Sequence, residues 1–265
     1  MLGDVMGRSG REAVLRRLPE LRKRLSLDFV VVNVDNAAHG FGITPDMARQ
    51  FFEAGADVLT GGNHLFDQRE IIGFLETERR LLRPANMSSS VPGKGMVEIT
   101  AANGRKAVVI HLIGQLNMPM AGDSPFRLTD CLLSEYKLGE NVSAVIVDFH
   151  AEMTSEKNAL GRYSDGRVSA VIGTHTHIPT ADERILERGT AFQTDVGMCG
   201  DYDSIIGMHK SAVERFAKGY KCGRLFPASG AAILCGALVD VDDKTGLASS
   251  IVRIKIDEAS NDSTV

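Results

Sequence analysis

Residues 170–177 read Ala-Val-Ile-Gly-Thr-His-Thr-His, an apolar run that stops at a glycine and is followed by two histidines. Residues 144–150, Ala-Val-Ile-Val-Asp-Phe-His, have a similar plan, with His150 as the last residue. Short runs of β-branched residues with glycine or polar stops are typical of strands that are buried on both faces. Helices cover both sides of a sheet of such strands, so the pattern predicts a layered α/β fold.

Strand-like and helix-like segments alternate over most of the chain. Further apolar runs predict strands at residues 29–34, 56–60, 106–113, 231–239 and 250–256. Apolar spacing and helix-start signals predict helices at residues 10–27, 44–54, 67–78 and 211–218. The sequence contains no internal repeat or Pro/Ser-rich linker, and we therefore expect one domain over residues 1–265, with a frayed polar tail at 258–265.

The first strand-like segment is unusually short. Gly3-Asp4 has the form of a strand end, but only Met1 and Leu2 precede it. A strand usually contains about five residues. We therefore expect the native chain to begin a few residues earlier.

Composition and charge disfavour several classes of protein. The formal net charge of −4 predicts no general attraction to nucleic acid or to anionic membranes. The four cysteines form no CxxC pair, which indicates reduced thiols rather than a zinc ribbon or a disulfide framework. There is no apolar run of about 18 residues and no secretory signal, so we expect a cytoplasmic protein without a membrane partner. The oligomeric state is left open, and a homo-oligomer is compatible with the sequence.

Hard oxygen and imidazole ligands accumulate where the predicted strands end. The residues concerned are Asp4, Asp35, Asn36, Asn63, His64, His150, His175 and His177. In extended backbone, side chains at i and i+2 point to the same side, so His175 and His177 are expected to reach one site or two adjacent metals. Carboxylate, amide oxygen and imidazole suit manganese, iron, zinc or cobalt better than copper.

Each of these elements alone has a simpler explanation. A lone buried histidine is more often a hydrogen-bonded core residue than a ligand, and Gly61-Gly62-Asn63 alone is a turn. Asp4 alone is a loop or cap residue. Five such elements in order, each after an apolar run, favour a metal site instead.

The order of these motifs resembles that of the calcineurin-like metallophosphoesterase superfamily. The matching elements are Gly3-Asp4, Asp35, Gly62-Asn63-His64, His150 and Gly173-Thr174-His175-Thr176-His177. Within the superfamily, the chain is most similar to the bacterial YmdB-like family of phosphodiesterases. The stretches that support this similarity are residues 34–38, 147–152, 154–157, 165–171, 180–183 and 194–198. The resemblance covers nearly the whole chain and implies a calcineurin-like sandwich of two mixed sheets flanked by helices.

The resemblance also implies two metal ions, iron or manganese in the first place and zinc, magnesium or cobalt as alternatives. It implies a first ion held by Asp4, Asp35, Asn36 and His177, and a second held by Asp35, Asn63, His150 and His175, with Asp35 as the bridge. A hydroxide between the ions would attack phosphorus in line with the leaving oxygen. His64 would protonate that oxygen. The implied substrate is a small cyclic nucleotide, of the 2′,3′-cyclic AMP type in the first place.

Two residues depart from the family pattern. Many members of the superfamily have a histidine where this chain has Met6, and Asn36 is the expected substitute ligand. The family usually has glutamate at the bridge, where this chain has Asp35. The shorter carboxylate leaves bridging plausible but is expected to change the metal spacing or the metal preference.

Three further residues are weaker candidates for substrate binding, namely His39, Lys157 and His209. Two alternative functions also stay open at this point. One is a phosphomonoesterase or nucleotidase with the same metals. The other is a regulatory, RNA-associated protein with structural metals, although the sequence has no strong nucleic-acid signature and structural zinc sites are usually rich in cysteine.

Overall fold

The computed structural model describes residues 1–120, 122–221, 223–259 and 263–264. The strands are β1 (Asp4–Val5), β2 (Val31–Asn33), β3 (Val58–Thr60), β4 (Leu81–Leu82), β5 (Met96–Thr100), β6 (Lys106–Ile113), β7 (Ala144–His150), β8 (Ala170–Thr174), β9 (Arg184–Ile185), β10 (Ala191–Gln193), β11 (Met198–Asp201), β12 (Ala232–Val241), β13 (Ala248–Asp257) and β14 (Ser263–Thr264). The helices are α1 (Gly7–Arg24), α2 (Pro45–Glu53), α3 (Ile71–Thr77), α4 (Pro125–Leu133), α5 (Thr154–Tyr163) and α6 (Val213–Lys218).

One mixed sheet has the strand order β5-β6-β7-β8-β10-β9. Its four central strands are parallel, and the two outer strands pair antiparallel to their neighbours. In this register His150 lies opposite Thr174, so the ends of β7 and β8 meet at one edge of the sheet. This edge carries three of the predicted site residues.

The remaining strands form two hydrogen-bonded groups, and an isolated β-bridge joins these groups into a second sheet. One group has the order β2-β3-β4 and the other β1-β11-β12-β13-β14. Leu2 and Val32 are bridge partners, which places β1 beside β2. Because β1 is parallel to β11 and β11 is antiparallel to β12, the combined sheet is also mixed.

Apolar side chains pack between the two sheets and beneath the helices. Ile146 and Ile172 of one sheet belong to the same buried cluster as Ala237 of the other. On the outer side of the second sheet, Leu18 of α1 and Phe51 of α2 are buried in a separate cluster. The two mixed sheets with outer helices confirm the predicted layered α/β class.

The observed helices differ from the predicted ones in their bounds and in their number. Helix α3 begins only at Ile71, because Leu65–Asp67 forms a separate 3₁₀ turn. Helices α4 and α5 were not predicted. In α5, Glu156 and Lys157 are buried, so the usual contrast between an apolar and a polar face is missing. None of the described helices is both long and apolar enough to cross a membrane.

The described residues of the 258–265 segment make the following contacts, and the expectation of a frayed tail stays a prediction. Glu258 forms ion pairs with Arg16 and Arg17 of α1. Ser263–Thr264 pairs with β13. Residues 260–262 and 265 lie outside the described residues, and the expectation of a single domain stays a prediction.

Candidate metal centre

The polar residues that follow the strands lie next to one another in the folded chain. Asp4 belongs to β1, and His150 is the last residue of β7. Bridge pairing between Met6 and Asn36 holds the loop after β2 beside the end of β1. The other members of the predicted set follow β2 (Asp35), β3 (Asn63, His64) and β8 (His175, His177).

Three of the predicted ligands form what we call the Asp4 group: Asp4, Asn36 and His177. Nε2 of His177 lies 3.1 Å from Oδ1 of Asn36 and 4.0 Å from Oδ1 of Asp4. Oδ2 of Asp4 accepts a hydrogen bond from the backbone N–H of His175 at 3.1 Å. Oδ1 of Asp4 is buried and has no hydrogen-bond partner among the described residues. An unpartnered carboxylate oxygen of this kind is costly unless a cation or donor completes it.

The other four predicted ligands form what we call the Asp35 group: Asp35, Asn63, His150 and His175. Nε2 of His150 lies 3.1 Å from Oδ1 of Asn63 and 3.4 Å from Oδ2 of Asp35. Nδ1 of His175 lies 3.1 Å from the same Nε2. Nδ1 of His150 is 3.7 Å from Oδ1 of Asp4, so the two groups adjoin.

Each of the three histidines has one ring nitrogen in this cluster and the other on a partner at its back. A hydrogen bond holds the second nitrogen of His150 and of His177, and a carboxylate oxygen lies beside that of His175. A ligating histidine usually has a partner at its second nitrogen, because that contact fixes the ring and its tautomer. The contacts at the back are His150 Nδ1 to Thr174 Oγ1 at 3.0 Å, His175 Nε2 to Glu152 Oε2 at 3.1 Å and His177 Nδ1 to Ile206 O at 2.8 Å.

Burial and nearby charges together set the pKa values of Asp4, His150 and His175. Burial raises the pKa of Asp4, although the nearby His177 and His150 act in the opposite direction. Burial alone would lower the pKa of His150, but the adjacent carboxylates of Asp35 and Asp4 raise it overall. Burial lowers the pKa of His175 to about 2, and His150 acts in the same direction, so His175 is neutral despite its contact with Glu152.

The donor set fits metal ions that accept oxygen and nitrogen ligands. Carboxylate, amide oxygen and imidazole are suited to iron, manganese or zinc. Gly62 leaves the space for an ion open, because a Cβ there would lie 2.4 Å from His150 Nε2 and 2.7 Å from Asp35 Oδ2. Within the described ranges, no group of three or more His, Cys, Asp or Glu side chains is arranged as a ready-made metal site.

His64 lies at the rim of this cluster. Its backbone N–H donates to Oδ1 of Asp35 at 3.0 Å, and its side chain is 31% exposed. Nδ1 lies 2.7 Å from Oδ2 of Asp67, and the ring packs edge-on against Phe41. Sequence reasoning missed Asp67, although its i+3 spacing from His64 on a short helical turn is a signal for side-chain contact.

His175 and His177 do not lie in extended backbone, contrary to the expectation. Their φ angles are 101° and 66°, in a region that residues other than glycine rarely adopt. Between them, the N–H and hydroxyl of Thr176 donate to Oδ2 of Asp195, at 3.1 and 2.8 Å. The two rings therefore enter different groups because a turn separates them, and not because they share one side of a strand.

Lys157 lies buried against the turn that contains Thr176. Its Nζ donates to Thr174 O at 2.7 Å and to Asp195 Oδ2 at 2.6 Å, and the residue is 1% exposed. This placement corrects the substrate contact expected from the sequence, because the ammonium group points into the protein. Lys157 and Asp195 instead form a buried ion pair beneath Thr176.

The other two weak candidates lie near the surface. His39 is exposed and has a φ of 55° in the turn after β2. His209 accepts the backbone N–H of Ser211 through Nδ1 and stacks on Phe226 at 4.7 Å. Neither ring has a described contact with the Asp4 group or the Asp35 group, so a substrate role for them stays a prediction.

Comparison with known proteins identifies close relatives over nearly the whole chain. A sequence model described as "YmdB-like protein" matches residues 1–254. A relative from Bacillus subtilis (strain 168), named 2′,3′-cyclic-nucleotide 2′-phosphodiesterase, is 43% identical over 257 residues, covering 97% of this chain and 96% of the relative.

Two solved structures share the fold. A hypothetical protein from Thermus thermophilus has a TM-score of 0.89 and 39% identity, and the match covers 97% of this chain and 98% of that one. A phosphatase from Mycoplasma pneumoniae has a TM-score of 0.88 and 33% identity, with 97% and 92% covered. These likenesses confirm the expected architecture.

Proposed function

Because the chain belongs to the YmdB-like family of the metallophosphoesterase superfamily and is a phosphoric ester hydrolase, we propose that it is a metal-dependent phosphodiesterase for small cyclic nucleotides. The observation that carries the proposal is the orientation of His150, His175 and His177. His150 and His177 each have one nitrogen beside carboxylate or amide oxygens, and His175 has Nδ1 at 3.1 Å from Nε2 of His150. The other nitrogen of each ring lies on a partner outside the cluster. The relative named as a 2′,3′-cyclic-nucleotide phosphodiesterase favours a substrate of the 2′,3′-cyclic AMP type.

We assign the ligands to two ions according to the two groups. The Asp4 group with Asp35 would hold one ion, and the Asp35 group the other, with Asp35 as the bridge. The 3.1 Å separations of Asn36 from His177 and of Asn63 from His150 support this division. When bound, two iron or manganese ions supply positive charge for the phosphoryl oxygens and lower the pKa of water.

His64 is proposed to give a proton to the leaving oxygen. Its Nδ1–H donates a hydrogen bond to the carboxylate of Asp67, and this contact orients the ring. Nε2 is then the atom that donates the proton. The backbone contact of His64 with Asp35 keeps the ring beside the cluster.

Metal content and turnover, measured on one sample, test this function. We expect about two equivalents of iron or manganese and metal-dependent hydrolysis of 2′,3′-cyclic AMP. We expect Asp35→Ala to lose metal and activity together, whereas Asp35→Glu, which has the residue usual in the family, retains both. Absence of metal after reconstitution of the wild-type protein with iron and with manganese would contradict the proposal.

A second assay separates the proposed activity from a phosphomonoesterase. Bis-p-nitrophenyl phosphate is a diester and p-nitrophenyl phosphate a monoester, so their turnover rates compare the two reactions directly. Faster hydrolysis of the diester is expected. Two bound ions with hydrolysis of the monoester alone would favour a nucleotidase, and two bound ions without turnover of either would favour a structural role.

A further inference from the structure

His175 faces the cluster through a different ring nitrogen from the other two histidines. His150 and His177 present Nε2 to the cluster and have Nδ1 on acceptors behind them. His175 presents Nδ1, 3.1 Å from Nε2 of His150, and its Nε2 lies 3.1 Å from Oε2 of Glu152. We propose that Glu152 is a positioning residue that fixes the Nε2–H tautomer of His175 and so makes Nδ1 the ligating atom, an inference that rests on the proposed function.

The chemistry of the two contacts determines the position of the proton. A neutral imidazole has one ring N–H, and an ionised carboxylate only accepts hydrogen bonds. The contact with Glu152 therefore places the proton of His175 on Nε2. The lone pair of Nδ1 is left inside the cluster, where a metal ligand needs it.

The surroundings of Glu152 differ from those of the partners of His150 and His177. Thr174, behind His150, is fully buried, and so is its acceptor, Asp148. The side chain of Glu152 is 48% exposed. This glutamate can therefore be changed with little effect on packing, which makes its role testable by substitution.

Loss of the carboxylate removes the oxygen that lies 3.1 Å from Nε2 of His175 and a negative charge beside the ligand. Replacement of such a partner typically weakens metal binding by about 10–100-fold. We expect Glu152→Ala to show this loss at one of the two ions. Glu152→Gln retains an acceptor oxygen and is expected to recover most of the affinity. Glu187→Ala changes an exposed glutamate in the turn between β9 and β10 and serves as the matched control.

The decisive measurement is the tautomer of His175 in the metal-free full-length protein, read from long-range ¹H–¹⁵N correlation spectra. We expect Nε2–H in the wild type, in Glu152→Gln and in Glu187→Ala, and a mixture of tautomers in Glu152→Ala. Manganese titration of the same four proteins, followed by metal analysis, gives the affinities. Neither readout depends on turnover.

The outcomes separate this inference from the proposed function. An Nδ1–H tautomer in the wild type, or equal tautomer ratios and equal metal affinities in Glu152→Ala and the wild type, would overturn the role of Glu152 and leave the enzyme assignment intact. The expected tautomers in a wild-type protein that binds no metal would support the role of Glu152 in orienting the ring and refute the metal-dependent function.

Discussion

Nδ1 of His64 lies 2.7 Å from Oδ2 of Asp67, across the 3₁₀ turn that follows the predicted ligand Asn63. The two residues are three apart, and one turn of helix places their side chains on the same side. The proposed proton donor thus has its own carboxylate, provided by the same short segment of chain. The segment is held to the cluster by the contact of the His64 N–H with Asp35.

Removal of the Asp67 carboxylate should impair turnover without loss of metal. His64→Ala is expected to lower kcat by about 10²–10⁴-fold, the range typical of a general acid. Asp67→Asn should lower kcat by a smaller factor, because the ring of His64 remains but is poorly oriented. Steady-state kinetics and metal analysis of both variants test the pair.

The double variant distinguishes a shared role from two separate roles. If Asp67 acts through His64, adding Asp67→Asn to His64→Ala causes no further loss of kcat. Multiplicative losses in the double variant would show that Asp67 acts on some other step.

Gly62 should tolerate no side chain. A Cβ at this position would meet Nε2 of His150 and Oδ2 of Asp35, both below 3.0 Å. We expect Gly62→Ala to reduce metal content far more than it reduces thermal stability. The matched control is Gly73→Ala in α3. A Cβ added there would meet no other part of the protein within 4 Å, and alanine favours the helix over glycine by about 1 kcal/mol. Full metal content in Gly62→Ala would argue against an ion between His150 and Asp35.

Thr174 connects His150 to a buried carboxylate. Its hydroxyl donates to Oδ1 of Asp148 at 2.8 Å and leaves a lone pair for Nδ1 of His150 at 3.0 Å. Thr174→Val removes both contacts and also the hydrogen bond that Nδ2 of Asn33 donates to the hydroxyl at 3.3 Å. We expect a cost of about 1–3 kcal/mol in the free energy of unfolding. Metal affinity should fall by about 10–100-fold.

Thr174→Ser is the control variant, because it removes the methyl group of the threonine and leaves the hydroxyl in place. It retains the hydroxyl and should recover the metal affinity, while some loss of stability persists. Urea denaturation and metal titration of the two variants measure the two effects separately. Equal metal affinities in the valine and serine variants would exclude the hydroxyl as an orienting group.

The buried pair of Lys157 and Asp195 should matter for stability rather than for substrate affinity. Lys157→Met leaves Asp195 charged and unpaired in the interior, which typically costs about 3–5 kcal/mol. The same change at Lys106, whose partner Glu98 is exposed, should leave the urea midpoint nearly unchanged. A higher KM with unaltered stability in Lys157→Met would restore the substrate role expected from the sequence.

The sequence allowed us to predict that the candidate ligands lie together, because their positions follow a local rule. Asp35, Asn63 and His150 each stand at or just after the end of an apolar run, and parallel strands bring such ends together. The layered class followed from the same runs. These features depend on residues that are close in sequence, so a single chain is enough to recognise them.

The supporting residues escaped prediction because their roles depend on distant contacts. Glu152 and Asp195 are ordinary acidic residues in the sequence, and only folding brings them against His175 and Thr176. The buried position of Lys157 was not predicted for the same reason, because its partner Asp195 is distant in the sequence. The expected extended geometry at 175–177 failed because the backbone turns immediately after β8.

The pairing of β1 with β11 brings Asp4 opposite a strand that begins at Met198. A ribosome adds about 5–20 residues per second, so roughly 10–40 s pass between the synthesis of Asp4 and that of Met198. For most of that interval the nascent chain carries Asp4 and Asp35 but lacks His175, His177 and the strand that pairs with β1. The candidate centre can therefore form only late in translation, and an N-terminal fragment released early carries the carboxylates of Asp4 and Asp35 without the three imidazoles.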